Sequence, residues 1–114
     1  MKKAEEILTN HLQALGSGDI DQLMQDYSEE SVFITPNGLF KGLMAIQEEF
    51  SNLLRAFPPG STLNILNKLI KDKYMLLMWS GESESLNIPF ASDTFIISDD
   101  KIIFQSFAGQ LIAK

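Results

Sequence analysis

The chain contains one histidine, His11. It falls in line with Ile7, Leu8, Leu12 and Leu15, on the apolar face of a helical repeat. An imidazole, with an ordinary pKa of about 6.5, exchanges a proton near neutrality without a large shift. A second titratable group, Asp93, interrupts the apolar run Pro89 to Ser98. A carboxyl in such a strand must find a donor or be held neutral by desolvation. His11 is its natural partner, so the two are expected to face one interior. Within hydrogen-bond reach they would form an ion-paired or proton-sharing dyad able to polarise a ligand carbonyl. The simpler alternative is a core imidazole bonded to Tyr27 or to a backbone carbonyl. Gln105, alternating with Phe107 and Gly109, offers a donor and an acceptor if that set points inward, and a slip of one residue would turn it outward. Thr35 is a β-former whose hydroxyl serves a backbone group or a ligand.

These groups need a frame to hold them. Apolar residues 7, 8, 12 and 15 predict a helix over Lys3 to Leu15, ended by Gly16-Ser17-Gly18. Asp19 and Gln22 read as a cap with its reciprocal partner, opening a short helix that buries Ile20, Leu23, Met24 and Tyr27. Val32-Phe33-Ile34-Thr35 reads as a strand stopped at Pro36-Asn37-Gly38, with Leu39-Phe40 returning. A third helix spans Leu43 to Phe57, apolar at 46, 50, 53, 54 and 57, and stops at Pro58-Pro59-Gly60. Four strands follow: Thr62 to Ile70, Tyr74 to Ser80, Ile88 to Ser98 and Lys101 to Leu111. The register around Gly81 to Asn87 is open. Three helices followed by an antiparallel meander predict an α+β domain, with helices on one face of a curved sheet.

Composition excludes several classes. A chain of 114 residues holds one core and is too short for two ordinary domains. A net charge of −6, with nine scattered Lys/Arg, opposes nucleic acid and anionic membrane as partners. The absence of cysteine removes disulfides, thiolate metal sites and a cysteine nucleophile, and one histidine precludes a multi-histidine zinc site within the chain. No phosphate loop, dinucleotide fingerprint or nucleophile triad occurs, so no cofactor is expected. Met1 to Gly16 lacks the continuous apolar core of a signal peptide, and no stretch approaches spanning length; the expectation is a cytoplasmic protein.

Several phrases, in this order, resemble the nuclear transport factor 2-like (NTF2-like) superfamily, which includes SnoaL-like polyketide cyclases and ketosteroid isomerases. They are Gly18-Asp19-Ile20, Tyr27 with Ser28-Glu29-Glu30, Thr35-Pro36-Asn37-Gly38, Lys41-Gly42, and Asp93-Thr94-Phe95 leading to Asp99-Asp100-Lys101-Ile102. The resemblance implies a cystatin-like curved antiparallel sheet wrapped around the N-terminal helices, an α+β barrel or cone, in a single SnoaL-like domain over residues 1–114. Laid beside ketosteroid isomerases, His11 takes the place of the tyrosine that donates to the substrate oxyanion, and Asp93 that of the acid beside it. Thr35 falls where the aspartate base stands, and a threonine hydroxyl is a poor proton acceptor. Phe50 replaces a supporting tyrosine, leaving Tyr27 as the matched phenol.

The expected pocket wall is Phe33, Phe50, Leu54, Met78, Phe90 or Ala91, Phe95 and Phe107, with Tyr27, Thr35 and Gln105 as polar contacts. With Met78, Phe95 and Gln105 inward, Leu77, Trp79, Ile96 and Phe104 would make an apolar outer face, which predicts a homodimer through the sheet; the alternative is that the helices cover these residues and the other set is exposed. The expected function is binding of a small apolar carbonyl compound, with isomerase- or cyclase-like acid/base chemistry by His11 and Asp93 but without the usual aspartate base. A non-catalytic ligand-binding or dimeric interaction domain is the alternative.

Overall fold

The computed structural model describes residues 3–114; Met1 and Lys2, the start of the stretch read against a signal peptide, lie outside it. The elements run α1 (Ala4–Ser17), α2 (Ile20–Met24), β1 (Val32–Thr35), β2 (Gly38–Lys41), α3 (Leu43–Ala56), β3 (Thr62–Lys71), β4 (Tyr74–Glu82), β5 (Leu86–Ser98), β6 (Lys101–Gly109) and β7 (Ile112–Ala113). No helix among the described residues is long and apolar enough to cross a membrane.

The seven-stranded sheet has the order β2-β1-β6-β5-β4-β3, and β7 adds to β5. It is mixed. The meander β3 to β6 is antiparallel as expected, but β1 pairs with β6 in parallel, Phe33 opposite Gln105. The sequence reading, built on neighbouring segments, had no signal for this long-range pairing. Gly81–Asn87 resolves into the ends of β4 and β5, joined by a turn in which Ser83 Oγ accepts from the backbone N–H groups of Ser85 and Leu86.

The helices cover the concave face. α1 buries Ile7, Leu8, His11 and Ala14, and α3 buries Ile46, Glu49 and Phe50. α1 ends at Gly18, whose φ of 69° suits glycine and whose backbone N–H bonds the carbonyls of Ala14 and Leu15. Asp19 caps α2 through the Gln22 N–H at 3.0 Å. The expected reciprocal bond is not made, because the Gln22 amide turns to Asn10 Oδ1 at 2.7 Å and ties α2 to α1.

Strand parity departs from expectation in β4. Met75, Leu77 and Trp79 point into the core, and Met78 points outward with Leu76. Both faces of this strand are apolar, so alternation carried no directional signal. In β5 and β6, Asp93, Phe95, Gln105 and Phe107 face inward. Ile96 and Phe104 are opposite one another on the outer face.

Candidate active site

His11 and Asp93 do not touch; a buried relay joins them. His11 Nδ1 lies 3.3 Å from the Tyr27 hydroxyl. That hydroxyl donates to Gln105 Oε1 in a very short bond. Gln105 Nε2 donates to Asp93 Oδ2 at 2.8 Å, and Trp79 Nε1 donates to Asp93 Oδ1 at 2.9 Å. The expected direct dyad is thus corrected to a chain of side chains from α1, the α2–β1 connection, β6, β5 and β4. All five are buried.

Each member is placed by local structure. One residue before His11, Asn10 Nδ2 donates to Asp26 Oδ2 at 2.5 Å, which clamps α1 against the residue preceding Tyr27. The Ile102 N–H donates to the Asp26 carbonyl at 2.7 Å, and Ser31 Oγ donates to the Ile102 carbonyl, so the segment carrying Tyr27 is stitched to β6. On the sheet, Gln105 is opposite Phe95 and Asp93 is between Leu77 and Phe107, which places Gln105 and Trp79 on its diagonals. The rings of Phe50 and Phe95 set their edges against the imidazole, with centroids 5.9 and 5.3 Å away.

Burial governs the electrostatics. It lowers the His11 pKa to about 4, so the imidazole is neutral at pH 7. It raises the Asp93 pKa to about 6, against the bonds from Trp79 and Gln105 that favour the carboxylate. Tyr27 is pushed well above its ordinary value by burial first, then by the charges of Asp93 and Asp26, and stays a neutral phenol.

A cavity of about 190 Å³ lies against one side of this relay. His11, Trp79, Asp93 and Gln105 reach it directly, with Phe33, Phe50, Leu54, Leu77 and Phe107 among its apolar walls. Exposed Gly16, Pro58, Gly60, Leu63 and Leu111 form its mouth. Of the expected contacts, Tyr27 is behind His11 and bonds it rather than the cavity. Phe95 is fully buried and supports the imidazole instead of lining the space. Met78 is on the other face of the sheet. Phe90 is 47% exposed because a register shift between Trp79 and Gly81, opposite Pro89 and Phe90, puts both of those residues outside. Trp79 and Leu77, expected outside, are cavity walls.

Thr35 is also away from the cavity. Its hydroxyl donates to Glu49 Oε2 at 2.7 Å, and Asn37 Nδ2 donates to the same oxygen at 3.1 Å. Sequence reasoning missed Glu49, although an acid between Ile46 and Phe50 on the buried stripe of α3 was the available signal. This carboxylate fastens the β1–β2 turn to α3. Glu49→Gln, which keeps an oxygen there, should cost under about 1 kcal/mol in urea unfolding, whereas Glu49→Leu should cost about 2–4 kcal/mol by stranding both donors.

No protein-family model matches the sequence, and no curated protein matches it. Solved structures match the fold. An NTF2-like protein of unknown function from Cytophaga hutchinsonii superimposes with a TM-score of 0.78 at 11% identity, over 96% of this chain and 92% of its own. The chain has the NTF2-like fold. A second structure with this NTF2-like fold, a provisionally assigned polyketide cyclase from Sinorhizobium meliloti, gives 0.75 at 17% identity over 90% and 93% of the two chains. A provisionally assigned ketosteroid isomerase from Kribbella flavida gives 0.76 at 7% identity over 96% and 78%. Proteins with this fold carry different names, so the chemistry depends on this chain's own side chains.

Proposed function

We propose that this protein binds a small, mainly apolar molecule in the cavity, its polar group meeting His11, Asp93 and Gln105, and that Asp93 is the group able to exchange a proton with it. The observation that carries this reading is the relay itself: buried polar side chains, hydrogen-bonded to one another, flank an otherwise apolar hollow. A carboxylate titrating at about 6 is matched to proton transfer near neutrality, while the imidazole is too weak a base at about 4. Thr35 supplies no base, its hydroxyl being committed to Glu49. In this reading any isomerase- or cyclase-like reaction on a carbonyl compound runs through Asp93, and a ligand-binding protein without turnover uses the same hollow. An apolar cavity of about 150 Å³ accepts benzene, so one of this size suits a single substituted ring. Toluene should therefore raise the melting temperature of the protein, and Leu54→Trp, which plugs the hollow, should abolish that rise. A wild-type protein indifferent to saturating toluene would refute the reading.

A second part concerns assembly, and we infer a homodimer through the outer sheet face. The strand register lines up Val32, Phe104, Ile96 and Tyr74 in one outward row, and Ile34, Ser106, Thr94, Leu76 and Leu69 in the next. Leu69 and Tyr74 are both more than half exposed. A contiguous apolar sheet face of this kind is characteristic of an interaction surface. Phe104→Glu should convert a sedimenting dimer into a monomer with its α+β circular dichroism unchanged. A wild-type monomer at micromolar concentration would overturn the assembly.

A further inference from the structure

Donor and acceptor roles along the relay can be assigned from its fixed end. An indole N–H only donates, so Trp79 makes Asp93 Oδ1 an acceptor. With Asp93 ionised, Oδ2 is an acceptor too, and the Gln105 amide must turn its NH2 toward it. The Gln105 oxygen then faces Tyr27, whose single hydroxyl proton goes to that oxygen. Tyr27 has only lone pairs left for His11, so Nδ1 must carry the imidazole proton. In a neutral imidazole this leaves Nε2 with a bare lone pair. Among the described residues Nε2 has no hydrogen-bond partner, it is not a sealed buried atom, and His11 lines the cavity.

We propose that the cavity takes an apolar alcohol or phenol whose hydroxyl donates to Nε2 of His11, the imidazole being held in its Nδ1–H tautomer by Tyr27, Gln105 and Asp93. This rests on the ligand-binding reading above and sharpens it, since every polar atom presented to the ligand by His11 and ionised Asp93 is an acceptor. At His11 Nε2 a carbonyl compound has no proton to offer and sets a lone pair against a lone pair. A carbonyl ligand finds a donor on His11 only when Asp93 is protonated. Its carboxyl can then donate to Gln105 Oε1 once the amide turns over, Gln105 Nε2 donates to Tyr27, and Tyr27 donates to Nδ1. The imidazole proton leaves Nδ1 and returns at Nε2, where it is a donor to a carbonyl. Asp93 is pushed up to about 6, so this arrangement belongs to mildly acidic solution. The titratable groups around the relay are His11 from α1, Asp26 and Tyr27 from the α2–β1 connection, and Asp93 itself. Trp79 and Gln105 do not titrate, and Glu49 of α3 is committed to Thr35 and Asn37.

The single histidine makes the assignment directly readable. In protein labelled with ¹⁵N-histidine, the side-chain spectrum at pH 8 should show a protonated, pyrrole-type Nδ1 and an unprotonated, pyridine-type Nε2. Tyr27→Phe, which frees Nδ1, should shift the signals toward the Nε2–H form. Matched one-ring probes test the ligand class: para-cresol should bind at least about tenfold more tightly than para-tolualdehyde at pH 8, and that preference should vanish or invert at pH 5. A protonated Nε2 in the wild type at pH 8 would overturn the assignment. Toluene binding together with equal affinities for the cresol and the aldehyde at pH 8 would overturn the ligand class while leaving the cavity reading intact. Failure of toluene, cresol and aldehyde alike would refute the cavity reading beneath it.

Discussion

Urea unfolding of Asp93→Asn, measured from pH 7 to pH 4, is expected to lose about 3 kcal/mol more stability than the wild type over the same range, and His11→Gln to gain about 3 kcal/mol relative to it. The signs follow from the two buried groups. His11 titrates at about 4 in the folded chain against a model value of 6.5. Between those values the unfolded chain takes up a proton that the native one refuses, so stability is present above pH 6.5 and drains away down to pH 4. Asp93 titrates at about 6 against 3.8. Between those values the native chain holds a proton that the unfolded one has released, so stability drains away as pH rises from 3.8 to 6. The two slopes oppose, and the wild type nearly cancels them. Deleting either group exposes the other. Subtracting the wild-type curve removes the share of the surface carboxylates, and a variant-minus-wild-type difference flat in pH would mean that neither group is perturbed as described.

Phe50→Ala should have the largest effect of any single substitution at the site, a loss of about 3–5 kcal/mol. Phe50 is stacked on Phe33 at 4.7 Å between centroids, lies against Tyr27 at 5.7 Å and presents an edge to His11. Removing the ring leaves a void continuous with the existing cavity. The variant should recover part of its stability in toluene, with a larger rise in melting temperature than the wild type shows, because the ligand occupies room the ring has vacated. A loss below about 1 kcal/mol would show that neighbouring side chains collapse into the gap. A full loss without recovery would show that the added space is closed to solvent.

Much of this arrangement was legible in residue order. His11 on an apolar helical stripe and Asp93 alone in an apolar strand identified both ends of the relay, and of the two parities open to the Gln105 set the strands adopt the inward one. The middle of the relay was only half visible. Tyr27 and Gln105 were legible as polar candidates, but their contact depends on the parallel pairing of β1 with β6, which no local pattern announces. Trp79 was assigned to the wrong face because Met75 to Trp79 is apolar at every position. The Asn10–Gln22–Asp26 clamp was hidden because its members look like ordinary surface residues until two helices are brought together.

The bond from Tyr27 to Gln105 spans 78 positions of sequence. Strand β1 likewise completes its hydrogen bonding only when β6 arrives beside it. During synthesis the early helices and the first hairpin must therefore wait for β6 to leave the ribosome before the interior can close. Loop-closure entropy of this order slows folding and leaves apolar strands uncovered meanwhile. Nascent chains halted before Lys101 should accordingly be captured by chaperones and cut rapidly by proteases, whereas chains released beyond Gly109 should not.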